Sequence, residues 1–178
     1  MVIFSVGHGT LPATAFLELL QRAQIHALVD VRTAPGSRRP PHFGRALMAE
    51  WLPQGGIRYR WEQALGGWRK ASRDSPNTAL RNESFRGYAD YMATPEFQAA
   101  LRGLLAEAAT TPTAFMCSES LWWRCHRRLI ADACVLLGGM EVNHVMHDGR
   151  LERHSLTDSA QRHGEVVRYQ TICPVAGG

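Results

Sequence analysis

The sequence predicts an α/β domain: a mostly parallel sheet of about five strands with helices on both faces. Short apolar runs of strand length alternate with longer stretches whose apolar residues recur at helical spacing. Glycines, prolines and N-capping residues punctuate the boundaries. Strands joined through helices run parallel, and a parallel sheet needs cover on both faces.

The elements follow in order. Ile3 to Val6 is an apolar strand that ends at Gly7-His8-Gly9-Thr10. Thr10 offers an N-cap, Pro12 suits a first turn, and Phe16, Leu17, Leu20 and Ala23 form a helical stripe. Ala27 to Val31 is the second strand. Pro35, Pro40 and Pro41 make the next stretch, Thr33 to Phe43, a loop. A helix at Arg45 to Leu52 and a strand at Ile57 to Trp61 flank Gly55-Gly56. The polar, basic segment Leu65 to Asn82 is long enough for a loop to be either mobile or functional. Helices are expected at Phe85 to Met92 and Pro95 to Ala109, the latter capped by Thr94, and a strand at Thr113 to Cys117. A helix from about Arg124 stops at Gly138-Gly139, and Glu141 to Met146 is the fifth strand. The domain is expected over residues 1–150, and residues 151–178 form a tail with one further strand at Glu165 to Tyr169.

Composition narrows the class. A chain of 178 residues can bury a substantial core. No apolar run approaches the roughly 18 residues of a membrane span, and the N-terminus reads as a strand rather than a signal peptide, so no membrane role and a cytoplasmic location are expected. Four cysteines are too few for a disulfide scaffold and are expected as thiols or ligands. The net charge of +4 favours anionic partners, and 19 of the 20 cationic residues are arginine, which suits two-point contact with phosphate or carboxylate. Base composition could produce the same bias, so only clustered arginines carry functional weight.

The densest chemistry lies at Cys117-Ser-Glu119-Ser-Leu-Trp-Trp-Arg124-Cys125-His126-Arg127-Arg128, a strand-to-helix junction of the kind where α/β proteins bind ligands. Cys125 and His126 are expected in the first helical turn, on the stripe continued by Leu129 and Ile130, and so aimed at the sheet end. Helix amides and the neighbouring arginines would favour a thiolate at Cys125. Cys117 is a second thiol, Glu119 and His8 are proton-transfer candidates, and Asp30, Arg32, Ser37, Arg38, His126 and Arg127 are ligand-contact candidates. Each has a plainer alternative. The cysteines could be packed and inert, Glu119 could stabilise the helix start, and His8 could serve a loop. Asp30 and Arg32, facing one side of a strand, could form a structural ion pair. Cys134 sits on the core stripe. A Cys₂His₂ metal set of Cys117, Cys125, His126 and His8 is disfavoured, because neighbours on a helix diverge by about 100°; no cofactor is expected. Trp51, Trp61, Trp68, Trp122 and Trp123 interleave with basic residues and could stack rings where exposed.

Several motifs occur together: Gly7-His8-Gly9-Thr10, Asp30-Val31-Arg32, Pro35-Gly-Ser37-Arg38-Arg39-Pro-Pro41-His-Phe43, Leu65-Gly66-Gly67, Phe85-Arg86-Gly87-Tyr88, and Cys117-x-Glu119 followed by Cys125-His126-Arg127. In this order they resemble the bacterial and archaeal family called domain of unknown function 488, from about residue 3 to about residue 147. The resemblance implies an α/β domain with a shared polar site and supplies no reaction. Two departures stand out: Gly9 replaces the usual serine, and Leu121-Trp122-Trp123 replaces a commonly polar segment, which could add a stacking surface.

Two functions of different classes follow. The first is an enzyme that binds an anionic, phosphate- or nucleotide-like molecule at the strand ends and uses a thiol. The second is a non-catalytic nucleic-acid or partner-binding domain with structural cysteines, and a Cys/His metal protein is a further alternative. No helix-turn-helix, zinc-finger or RNA-recognition signature is present. The oligomeric state is not encoded in any motif.

Overall fold

The computed structural model describes residues 1–36 and 40–171. Ser37, Arg38 and Cys173 lie outside the described residues. The sheet has six strands in the order β3-β2-β4-β1-β5-β6. These are β1 (Val2–Gly7), β2 (Ala27–Asp30), β3 (Arg58–Trp61), β4 (Thr113–Cys117), β5 (Glu141–Val145) and β6 (Leu151–Arg153). The first five pair in parallel, and β6 adds an antiparallel edge on β5.

Helices cover both faces, as the alternating pattern requires. On one face α1 (Ala13–Arg22) and α2 (Arg45–Gln54) bring Phe16, Leu20, Met48 and Leu52 onto Val6, Leu28, Ala114 and Met116. On the other, α3 (Glu83–Tyr91), α4 (Pro95–Thr110) and α5 (Arg127–Leu136) pack Tyr88, Phe97, Leu104 and Ile130 onto Ile3, Val29, Phe115 and Val142. Adjacent residues such as Leu28 and Val29 therefore belong to different cores, which is the two-residue period of a strand buried on both sides. Cys134 is fully buried in the second core, as its place on the α5 stripe predicts.

Local signals set most boundaries. The Thr94 hydroxyl accepts the Phe97 amide at 3.3 Å and Pro95 opens α4. Thr10 does not cap α1, which starts three residues later with Pro12 at its N-cap. Beyond α5, Gly139 takes φ 61°, the left-handed conformation that ends a helix at glycine.

Residues 151–171 pack against the sheet and α5. After β6, the hairpin β7 (Ala160–His163) and β8 (Val166–Tyr169) lies against α5. Asp132 of α5 ties this segment down: its carboxylate accepts from His154 Nε2 (3.0 Å), the Thr157 amide (3.0 Å) and hydroxyl (2.8 Å), and the Tyr169 hydroxyl (2.9 Å). Among the described residues, no helix is long and apolar enough to cross a membrane.

Candidate functional site

The chain leaves β2 toward β3 on one side and leaves the adjacent β4 toward β5 on the other. Connections that depart in opposite directions open a crevice at the carboxyl ends of the strands. A cleft of about 600 Å³ occupies that position. His8 from the end of β1, Arg32 after β2, Cys117 and Glu119 after β4, and Cys125 and His126 before α5 all line it. Trp68 from the 66–82 loop and Phe85 and Tyr88 of α3 complete the lining.

The floor is a three-membered group. The sulfurs of Cys117 and Cys125 and a ring nitrogen of His126 all lie within 4.8 Å of one another. Here the structure departs from the expected first helical turn. Trp122–Arg124 forms its own 3-10 turn, Cys125 is extended (φ −120°, ψ 153°), and α5 begins only at Arg127. Trp122 drives this break, since its ring stacks on His144 at 4.1 Å and anchors the turn against β5. The stacking surface expected at Leu121-Trp122-Trp123 is reduced accordingly, because Trp122 is buried. With Cys125 extended rather than helical, the 100° divergence from His126 no longer applies, and both side chains reach the same point.

The hydrogen bonds of His126 fix its protonation pattern. Nε2 lies 3.0 Å from the Val31 carbonyl oxygen, which can only accept, so Nε2 carries the proton. Nδ1 faces Cys125 Sγ at 3.5 Å. Gly67 packs against the same ring, where a Cβ would crowd Nδ1, so the Leu65-Gly66-Gly67 turn closes over the imidazole.

The two thiols are driven apart electrically. Cys117, hydrogen-bonded to its neighbour and desolvated, is pushed up to about 12. Cys125 is brought down to about 6, first by the neighbouring Cys117 thiol and then by the charge and backbone amide of Arg127, against its own burial. Both shifts favour the anion on Cys125 over one on Cys117. Both sulfurs are nearly covered by protein, yet both border the cleft.

Asp30 and Arg32 form a two-pronged buried ion pair. Asp30 Oδ1 accepts from Arg32 Nε at 2.8 Å and Oδ2 from Nη2 at 2.5 Å; Oδ2 also accepts the Tyr59 hydroxyl at 2.7 Å. Arg32 Nη2 further donates to the Phe43 carbonyl, which pins the end of the proline-rich loop. Arg32 lines the cleft, whereas Asp30 lies beneath it. His8 stacks on Phe43 at 4.0 Å, with Nδ1 2.8 Å from the Gly9 carbonyl and Nε2 3.3 Å from Arg32 Nη1. The carbonyl accepts and the guanidinium donates, so His8 is neutral with its proton on Nδ1. Burial is the main reason that its basicity falls to about 4.

Arg127 lies outside the cleft lining and serves the framework. It is 1% exposed, donates to Ser5 Oγ at 2.9 Å, and holds the Glu119 carbonyl. Gly7 sits beside it; any Cβ there would meet the Glu119 carbonyl and the Arg127 guanidinium. The Glu119 side chain is exposed, and its carboxylate accepts the Leu121 amide at 3.0 Å while bordering the cleft. Arg124 is exposed on the same wall. Sequence reasoning did not single out Arg124, Asn82, Ser84, Phe85 and Tyr88 as lining residues. For Phe85 and Tyr88 a signal existed in the Phe85-Arg86-Gly87-Tyr88 motif, while nothing local distinguishes Asn82 or Ser84.

Among the described residues, Cys117, Cys125 and His126 are the group whose donors could meet at one metal ion. His8 is turned to Gly9 and Arg32 and is not part of it. The histidine geometry, with one ring nitrogen on a backbone carbonyl and the other facing thiols, suits either a thiol partner or a ligand.

Fold and site together define an α/β protein with a thiol-bearing cleft at its strand ends. The chain belongs to the family described as Domain of unknown function DUF488, whose model matches residues 12–134. That span contains both thiols, Glu119, His126 and the Asp30-Arg32 pair, and leaves Gly7-His8-Gly9 just outside. No curated protein and no solved structure matches the chain.

Proposed function

We propose that this protein is an enzyme of thiol chemistry that acts on a small anionic substrate in the strand-end cleft. The observation that carries the reading is the convergence of the Cys117 and Cys125 sulfurs and a His126 ring nitrogen within 4.8 Å at the floor of a 600 Å³ cleft. Cys125 is the nucleophile. Cys117 is the neighbouring thiol that keeps its proton, and His126, oriented by Val31, presents Nδ1 to the Cys125 sulfur. Glu119, exposed at the rim, is the further proton-transfer group, and His8 is a neutral support for Arg32. Arg124 and Arg32 give the cleft its preference for an anion.

Alkylation tests the reading. Iodoacetamide labelling across pH 4.5 to 9, read by mass spectrometry of the peptide containing Cys125, should reach half its maximal rate near pH 6, with Cys117 unlabelled. A half-point above pH 8 at Cys125 sinks the proposal. So does stoichiometric zinc in protein purified without chelators, if its removal is what exposes the thiols to reagent; the three donors would then be a metal centre.

A further inference from the structure

Trp68 is placed in a way its own packing does not explain. It is 86% exposed, the most exposed large hydrophobic side chain among the described residues, and it lines the same cleft as the thiols. Its φ is 60°, the left-handed region, where a side chain larger than hydrogen is disfavoured. A residue in such strain with no buried surface to gain is held there by its neighbours, and held strain clusters at ligand sites.

The neighbours show how. Thr33 Oγ1 donates to the Gly67 carbonyl at 2.8 Å, and Gly66 is pressed against Thr33. Gly67 lies on the His126 ring. On the other side the Arg69 guanidinium sits 3.7 Å over the Tyr91 ring, and the backbone of residues 69–71 lies directly on Gly87 of α3, where no Cβ fits. The loop is therefore clamped on both sides of one residue. The clamp leaves an indole ring standing free at the cleft wall, with Phe85 and Arg124 also lining that space. Arg124 has no ion-pair partner among the described residues.

An exposed, pre-positioned indole takes a planar ring face to face, and a free guanidinium takes an anion. We infer that the ligand of this cleft is a planar aromatic ring carrying an anionic group, of the nucleotide class, with its ring stacked on Trp68 and its anion held by Arg124. The inference rests on the proposed anionic-substrate cleft and adds the ring. Ring stacking accepts every base, so discrimination among bases by Trp68 is weak. A free nucleotide and the end of a nucleic-acid strand share this chemistry.

Calorimetric titration of the full chain separates the parts. The probes are AMP, CMP, ribose 5-phosphate, inorganic phosphate and a short single-stranded oligonucleotide. AMP and CMP should bind, and ribose 5-phosphate should bind about tenfold or more weakly. Trp68→Ala should weaken the nucleotides by about fivefold to a hundredfold, the range for loss of one stacking platform, and leave ribose 5-phosphate unchanged. Trp68→Phe should recover most of the loss. Arg124→Gln should weaken all the phosphate-bearing probes together. Tighter binding of the oligonucleotide than of AMP, with the same Trp68 dependence, identifies the strand end as the source. Equal affinity for AMP and ribose 5-phosphate, absence of nucleotide binding, or indifference of AMP to Trp68→Ala overturns the inference. Cys125→Ser should retain nucleotide binding while abolishing the alkylation described above. Ordinary thiol reactivity with intact nucleotide binding therefore removes only the thiol reading, and rapid alkylation without nucleotide binding removes only the ring.

Discussion

His126 donates its Nε2 proton to the carbonyl oxygen of Val31, 3.0 Å away in space and 95 residues earlier in the chain. This one bond joins the loop after β2 to the start of α5 and turns the other ring nitrogen toward Cys125. The ring is further confined by Tyr88, whose edge lies on it at 5.1 Å, and by Gly67.

Replacing His126 by alanine should therefore act on both stability and reactivity. The Val31 carbonyl loses its donor, which costs about 1–3 kcal/mol when the group stays buried. Urea unfolding measures the cost, and Cys125 should alkylate more slowly at pH 7 in the same variant. Unchanged stability together with unchanged labelling would show that the bond does not organise the site.

The thiol pair predicts a distinctive stability profile. Cys125 falls to about 6 in the folded protein from an ordinary 9.0, so between these values the unfolded chain binds more protons. Its contribution is complete above pH 9 and is lost as pH falls toward 6. Cys117 has the opposite sign: raised to about 12, it contributes fully below pH 9 and loses that contribution as pH rises toward 12. His8, lowered from 6.5 to about 4, adds a loss as pH falls from 6.5 to 4. Chemical denaturation at a series of pH values should show stability rising from pH 6 to 9, and Cys125→Ser should flatten that rise while leaving the acid loss below pH 6.5.

Gly7 and Arg127 form the frame behind the thiols. Gly7→Ala puts a methyl group into the Glu119 carbonyl and the guanidinium, with backbone on one side that cannot yield cheaply. Arg127→Met leaves Ser5 and the Glu119 carbonyl without their charged donor, a loss of about 3 kcal/mol or more. Both variants should melt well below the parent in calorimetry. Arg127→Met should also move Cys125 reactivity to higher pH, because Arg127 is one source of its acidity.

Trp68→Gly should raise stability or leave it unchanged. The substitution removes left-handed strain worth about 1–2 kcal/mol and gives up almost no buried surface, although glycine's freedom in the unfolded chain returns part of the gain. A fall in melting temperature of several degrees would mean that the indole is structural.

Asp132→Ala should release the C-terminal hairpin while the sheet persists. Four hydrogen bonds from three residues of the 151–171 segment end on this carboxylate. Limited proteolysis should cut that segment in the variant and spare it in the parent; equal resistance would count against Asp132 as its anchor.

Much of the fold is legible in the residues. β1, β2 and β4 fall on continuous apolar stretches, because a strand buried on both faces needs one, whereas the edge strand β3 and β5 alternate with polar residues. Thr94-Pro95 marks the start of α4 through a side-chain cap and a fixed φ, both local effects. The gathering of polar residues at strand ends likewise reads from the one-dimensional pattern, since parallel connectivity puts all those ends on one side.

Other features escape a local reading. The start of α5 moved because Trp122 finds His144 on β5, a contact between distant segments that outweighs the helical spacing of Cys125 and Leu129. Arg127 reads as a ligand contact beside the thiol, yet Ser5 of β1 and the Glu119 carbonyl claim it. The 66–82 loop reads as mobile or functional, and only the contacts of Gly66, Gly67 and Gly87 show it clamped around Trp68.

The sequence by itself determined the α/β architecture, the family, and the strand-end position of His8, Arg32, Cys117, Glu119 and Cys125, because these depend on periodicity, turn chemistry and motif order along the chain. Tertiary structure alone decided where α5 begins, which nitrogen of His126 donates to the Val31 carbonyl, and which arginines line the cleft. Those properties arise from burial and from hydrogen-bond partners up to 95 residues apart, and no pattern of neighbours along the chain encodes them.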